Sequence, residues 1–508
     1  MTIKIDGESL TINKVKAVAR DKEKIEIPDD IYNRISDCRK IVEDGIEKNK
    51  IMYGLNTGIG ELAEVILPKD QIQDFQKYLV YSHAAGYGAP MAIADVRAGM
   101  TSRINVLSKG HSGPRPVVVE TLVNMLNRGV TPVVCQRGSV GACGDLSPLS
   151  QVALCLIGEG EAFYEGERLP AKVAMEKAGI PTIVFEARDG LATINGSNMT
   201  TGMGSLQICD VYHFIKESEI SAAMTIDALK CNMMAFDERI HKIRGYPGSV
   251  ACAENIRRIC DDSEILAGKD KKVQDAYSLR STPQVTGSAK DTVDFSRKMF
   301  EIELNGVGDN PIFFPDDGGT ILTGANFQGT PLAFALEFAG IAVTTVATLS
   351  ERRLNRLVNP ALSRGLPAFL TKGAGMFSGT MLTQYTAGAL VCEDRVLSHP
   401  AATGSIPAAA DQEDFVSMSM TTAIKTKQII DNAFAVVAIE LLNAAQALEF
   451  RKPLKPGHGV QAAYDVIRKY VEPLDKDRPL YKDINKLAEV VKSGEILEAV
   501  EWAIGKLK

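Results

Sequence analysis

Ile430, Phe434, Val437, Leu441 and Ala445 recur at steps of three and four without a break. Only a helix of several turns puts those five side chains on one face. A second stripe, Leu206, Cys209, His213, Ile220 and Met224, runs at steps of three, four and seven, with Lys216 and Glu217 filling the missed turn. Helices of this length with one apolar face bury it against each other, so the chain is expected to be mainly α, a long-helix bundle. His213 stands inside a stripe and reads as a core histidine, since its spacing gives it no partner for a ligand or base role. The start of the chain differs. Ile3, Ile5, Leu10 and Ile12 flank Asp6-Gly7, a favoured tight-turn pair, which predicts a small N-terminal hairpin.

A chain of 508 residues would make about three domains at ~150 residues each on length alone. The shift to longer helical periodicity suggests a division at 200: an N-terminal domain over 1–200, then the central bundle and a C-terminal helical segment over 201–508. Residues 455–508 are more charged and are expected outside the main bundle. The most apolar stretches, 331–350 and 429–448, are interrupted by Glu337, Asp431, Asn432 and Glu440, which fits buried core helices and not membrane spans. A net charge of -6 with no dense basic stripe argues against nucleic acid. The start, MTIKIDGESLTI, lacks an apolar run with a cleavage site, so no secretory signal is expected. Nine cysteines are scattered without CxxC pairs or zinc-like histidine spacing. They read as thiols of a reducing compartment, the cytoplasm, and no metal is indicated.

Glycine and proline gather between the helical stretches, where scaffolds of this kind carry chemistry. The most informative connection is Gly138-Ser139-Val140-Gly141-Ala142-Cys143-Gly144-Asp145-Leu146-Ser147-Pro148. Its end reads as a helix start, with Ser147 as N-cap and Pro148 in the first helical position. That leaves Ala-Cys-Gly, set between glycines, unexplained, and no GK[ST] follows to make a phosphate loop. Two further polar loops are Tyr53-Gly54-Leu55-Asn56-Thr57-Gly58-Ile59-Gly60 and Gln274-Asp275-Ala276-Tyr277-Ser278-Leu279-Arg280, the latter running on to Pro283-Gln284. Read alone, these could be a polar turn and a surface segment.

As a set, these stretches resemble the aromatic amino acid ammonia-lyases, over roughly residues 1 to 450. The resemblance implies the fold of the histidine and phenylalanine ammonia-lyases. It also implies a homotetramer whose sites combine loops from different subunits, and no dissociable cofactor. In that family a Gly-rich loop with Ala-Ser-Gly before Asp-Leu cyclises autocatalytically to a methylidene-imidazolone. The backbone nitrogen of the Gly must reach the Ala carbonyl, which needs small residues and a tightly bent backbone. Here the ring would form from Ala142, Cys143 and Gly144. Cys143 departs from the usual Ser, but loss of hydrogen sulfide leaves the same exocyclic methylene as loss of water. An unprocessed thiol, or a relative such as ergothionase that works without the electrophile, is the alternative.

The resemblance also distributes roles. Tyr53 of the YGxNTGxG loop would be the general base, and its pKa must be lowered by neighbours, Arg280 or the polar loop, for it to act near neutrality. Arg280 would hold the substrate carboxylate with its planar fork. Tyr277 would lie near the electrophile. Gln274 and Asn195 of INGSN would fix the α-amino acid end with Arg280. Asn310 of NGVGDNP and Phe327 of GANFQGTP lie in matching loops, with Phe327 lining the ring pocket. His83 of SHAAG resembles the histidine lyases' contact to the imidazole, while phenylalanine lyases have apolar residues there and tyrosine lyases can carry a His that holds the phenol. Glu413, in QED after Ser405-Ile406-Pro407, resembles a site carboxylate that suits an imidazole and has no use for a plain phenyl ring. Against these, Gln328-Gly329-Thr330 looks like the phenylalanine and tyrosine lyases, and Asn198 and Asp411 also differ from the histidine lyases. The expectation is therefore elimination of ammonia from L-histidine to give trans-urocanate. Tyrosine or phenylalanine lyase or 2,3-aminomutase activity, an electrophile-free lyase of a trimethylated histidine derivative, and a catalytically dead scaffold are the alternatives.

Overall fold

The computed structural model describes residues 2–508. Twenty α-helices among the described residues, with a few two- to four-residue strands, make the chain mainly helical. The chain forms two compact units, each assembled from three stretches. The first takes everything up to Cys209, then Ser296–Glu337 and Pro400–Ile424. The second takes Asp210–Phe295, Phe338–His399 and Lys425–Lys508. All the divisions but one fall inside long helices: Asn198–Ala228, Thr282–Leu304, Thr330–Val358 and Ser419–Glu449. The two stripes read from sequence lie on the first and last of these.

The first unit is organised around the helix Ile93–Ser108, which is buried at every position from Asp95 to Ser108. It packs against Ile12–Ala19, Asp29–Glu47 and Pro116–Arg128. The expected hairpin does not form. Ile3–Lys4 pairs with Ile25–Glu26, in parallel, after a helical crossover. Local side chains decide this. Asp6 Oδ1 accepts the backbone N–H groups of Glu8 and Ser9 at 2.8 Å each. Thr11 then caps a helix by accepting from the Lys14 backbone N–H. The turn therefore feeds a helix and not a returning strand.

In the second unit the Arg353 guanidinium is fully buried and forks onto Glu440, Nε to Oε1 at 2.6 Å and Nη2 to Oε2 at 2.7 Å. Thr225 and Ser350 donate to the same carboxylate, so one acid stitches three long helices together. The helices Thr330–Val358 and Ser419–Glu449 are apolar and long enough to cross a membrane by composition alone. Their most apolar windows are 67% and 78% buried, and the partnered Glu440 shows why that stretch is core. The C-terminal helices do not stand apart as their charge suggested. Val491 O receives His213 Nε2 at 2.7 Å, and the Leu497 N–H donates to buried Glu217. His213 is partly buried rather than fully in the core: its Nε2 also lies 3.8 Å from Glu217, and its ring is 5.5 Å from Phe434.

Candidate active site

The loop that starts at Tyr53 is held by what flanks it. Met52 and Leu55 sink into a core cluster with Cys38, Val42 and Phe313, which leaves Tyr53 turned the other way. Asn56 folds the loop on itself, accepting from Met52 N and donating to Lys50 O. Gly54 adopts a φ of +65° and lies so close to Leu191 that a Cβ would sit 2.2 Å from its Cδ2. Tyr53 is half-buried, and its hydroxyl accepts the Gly60 N–H at 3.0 Å.

The glycine-rich loop is fixed from beneath. Asp145 is fully buried. Its Oδ2 accepts the Thr200 N–H at 2.7 Å, and its Oδ1 accepts the Thr200 and Ser139 hydroxyls at 3.1 Å. The carboxylate therefore caps the helix Asn198–Ala228 from a distant part of the chain. Burial pushes the Asp145 pKa up to about 6, against the lowering effect of those hydrogen bonds. Gly144 has a φ of +78°, and a Cβ on it would lie 2.2 Å from the Gly196 carbonyl carbon. Two backbone hydrogen bonds close this contact: Gly196 N–H to Cys143 O at 3.2 Å and Asp145 N–H to Gly196 O at 2.8 Å. Ser147 is not the N-cap. The helix Leu146–Leu156 starts two residues earlier, Asp145 occupies the cap position, and the buried Ser147 hydroxyl has no protein partner.

These loops surround a cavity of about 660 Å³. Tyr53, His83, Ala142, Cys143, Gly144, Asn195 and Glu413 all line it, with Ile59, Leu62 and Leu191 supplying apolar wall. The Cys143 thiol donates to Glu413 Oε1 at 2.9 Å, joining residues 270 positions apart. Burial, then that carboxylate, pushes the thiol pKa well above the ordinary value, so the sulfur is held protonated. His83 is the last residue of the helix Ile72–His83, and its Nδ1 lies 2.8 Å from Leu79 O. A carbonyl only accepts, so Nδ1 carries a hydrogen, and in the neutral ring Nε2 is the acceptor. Asn195 is 3% exposed, and its Oδ1 has no protein partner.

The tyrosine departs from expectation. Its pKa is raised, not lowered: burial dominates, the Gly60 N–H works against it, and the nearby Glu413 carboxylate adds to the rise. Other expected residues lie elsewhere. Asn310 is buried with Oδ1 accepting the Gly324 N–H at 3.0 Å, and Phe327 is half-buried with its carbonyl receiving the Ser197 hydroxyl at 2.7 Å. Neither lines the cavity. Gln274, Tyr277 and Arg280 belong to the second unit, where Tyr277 is 73% exposed beneath the Arg280 guanidinium, 4.8 Å from its ring centre. Gly60 and Asp145 were quoted in motifs without a role, and only their hydrogen bonds reveal one. Among the described residues no cluster of His, Cys, Asp or Glu could hold a metal.

Residues 10–469 match the family described as Aromatic amino acid lyase. The chain belongs to the aromatic amino acid lyases. It is 46% identical over 503 residues to a histidine ammonia-lyase of Alkaliphilus oremlandii (strain OhILAs), across 99% of both chains. Its structure superposes on a tyrosine aminomutase from Streptomyces globisporus with a TM-score of 0.96 and 36% identity, covering all of both chains. A histidine ammonia-lyase from Trypanosoma cruzi gives 0.92 at 33% identity, over 99% of this chain and 96% of that one.

The lyase family uses a methylidene-imidazolone, and the loop of this lyase fits one. Closure would join Gly144 N to the Ala142 carbonyl carbon, and the missing Cβ at Gly144 leaves room that the Gly196 backbone would otherwise deny. The Cys143 carbonyl stays outside the new bond and already receives the Gly196 N–H.

Proposed function

We propose that this lyase eliminates ammonia from L-histidine to give trans-urocanate, with the electrophile built from Ala142, Cys143 and Gly144. The observation that carries the substrate is the pairing of His83 and Glu413 in one otherwise largely apolar cavity. An imidazole offers one N–H and one lone pair. The His83 Nε2 lone pair accepts an N–H, and a carboxylate that accepts a second one favours the protonated ring. A phenyl group would leave both partners unmatched, which is costly in a buried site. The 46% identical histidine ammonia-lyase supports the same reading.

The electrophile, once formed, supplies an electron sink that lets the amino group or ring be activated. The chain's own residues do the rest. Tyr53 is the group placed to take the β-proton, and its phenol must first ionise. Arrival of a cation brings its pKa down. Arg280 is that cation and also forks onto the substrate carboxylate, beside Gln274 and Tyr277. Asn195 Oδ1, unsatisfied by protein, receives a hydrogen from the α-ammonium. We assign Gln274, Tyr277 and Arg280 of each site to a second copy of the chain in a homotetramer, since the cavity is lined by the first unit alone. The nine free cysteines suit the cytoplasm. Tyrosine is the second reading, favoured by Gln328-Gly329-Thr330 and by the aminomutase likeness. Parallel incubations with L-histidine and L-tyrosine, followed by the urocanate and coumarate absorbances and by β-tyrosine analysis, separate the two. Histidine should be turned over far faster, and equal or faster conversion of tyrosine overturns the assignment.

A further inference from the structure

We propose that Glu413 is the proton shuttle that removes hydrogen sulfide from Cys143 while the loop matures. This rests on the reading that Ala142, Cys143 and Gly144 close into the electrophile. The cavity lining holds two carboxylates, Glu61 and Glu413, and Glu413 is the one placed at the sulfur, with Oε1 2.9 Å from Sγ. Its approach is built into the backbone. Ala408 and Glu413 exchange both of their backbone hydrogen bonds, Ala408 N–H to Glu413 O at 2.9 Å and Glu413 N–H to Ala408 O at 3.1 Å. Between them Ala409, Ala410 and Asp411 take φ values of +50°, +52° and +66°. Three consecutive L-residues in the left-handed region form an unfavourable turn, and such turns persist where the surroundings impose them. The turn aims Glu413 at Cys143 and leaves Ala408, Ala409 and Ala410 as cavity wall.

A cysteine needs this help in a particular way. The thiol is held neutral, so elimination must dispose of both the α-hydrogen and a sulfur that carries its own proton. In the step proposed here the Glu413 carboxylate takes the α-hydrogen of Cys143. The released electron pair becomes the Cα=Cβ bond, and the Cβ–Sγ bond breaks with its pair on sulfur. The hydrosulfide then takes the proton from the Glu413 carboxylic acid and leaves as hydrogen sulfide. The carboxylate is restored, no charge is created and no oxidant is needed. Without the return of that proton, the negative charge of the carboxylate would be left on a hydrosulfide in a half-buried site.

The test is the intact mass of purified wild type, Glu413→Gln and Glu413→Asp, with sulfur read at residue 143 by thiol alkylation and peptide mapping. Glutamine keeps the size and the polar contact but cannot carry the proton; aspartate keeps the carboxylate. The expected result is that wild type has lost one water and one hydrogen sulfide per chain. Glu413→Gln should retain its sulfur in most chains while unfolding at the wild-type temperature, and Glu413→Asp should lose sulfur at least in part. Complete sulfur loss in Glu413→Gln overturns the shuttle while leaving the electrophile in place. Equal retention in both variants also overturns it, since the side chain's shape and not its proton would then matter. Sulfur retained in wild type itself overturns the shuttle together with the electrophile on which it rests.

Discussion

Tyr53 shows how much of a site's chemistry depends on what stands around one atom. Its hydroxyl receives a single N–H, from Gly60, while burial and the neighbouring Glu413 carboxylate hold the proton on. With Tyr53 as the proposed base the active form is the ionised one, so catalytic efficiency with histidine should rise with pH above neutrality. Tyr53→Phe keeps the packing and removes the ionising group, and should lower kcat by about 10²–10⁴-fold while unfolding at the wild-type temperature. A variant that retains most of its activity would move the base elsewhere. At this scale the sequence was informative where a motif carried the residue. Tyr53, Cys143, His83, Asn195 and Glu413 were singled out and meet in one cavity. The direction of the Tyr53 pKa shift was not legible, because it depends on burial and on a residue 360 positions away.

Elements hold these atoms in place, and Asp145 is where two of them lock. One carboxylate sits at the start of Leu146–Leu156 and caps Asn198–Ala228. Its pKa is raised by burial, so the folded state binds a proton that the unfolded chain has already lost between the ordinary carboxylate value of 3.8 and about 6. The sign follows: its contribution favours the fold below that window and is lost as pH rises through it. Asp145→Asn removes the charge, so its melting temperature relative to wild type should climb as pH is raised from 4.5 to 7. A constant difference across those pH values would contradict the shift. Gly144→Ala is expected to be severe, since the methyl meets Gly196 backbone 2.2 Å away at a φ of +78°. It should melt well below wild type and keep the sulfur of Cys143. The long helices were readable because their stripes repeat. The hairpin was not, because Asp6 and Thr11 redirect the chain through hydrogen bonds that alternation of apolar residues does not encode. Ser147 misled for a similar reason: the cap position is set by where the backbone turns helical, and the loop already ends at Asp145, whose side chain is spent on Thr200 and Ser139.

Across the whole molecule, the residues proposed for the site fall in both units. The first unit holds Tyr53, the glycine-rich loop, His83 and Glu413, and the second holds the Gln274–Arg280 segment. That the first unit reclaims Ser296–Glu337 and Pro400–Ile424 left no mark in the sequence, because the divisions fall inside continuous helical stripes. Assembly makes a direct prediction. Arg280→Lys keeps the charge and loses the fork, and should lose most of its catalytic efficiency. Mixed and reassembled with Tyr53→Phe, it should regain activity, up to about a quarter of wild type, the chance that random pairing brings two intact side chains to one site. Two inactive variants that stay inactive when mixed would place Arg280 outside the partner's site.

The central claim, histidine elimination through an electrophile born from a cysteine, is tested most directly by histidine turnover in a Cys143 series. Wild type and Cys143→Ser should both produce urocanate, because sulfide or water leaves the same methylene behind. Cys143→Ala should fold and be nearly inactive. An active Cys143→Ala variant, with an alkylatable thiol in wild type, would contradict the claim and point to a substrate that carries its own good leaving group.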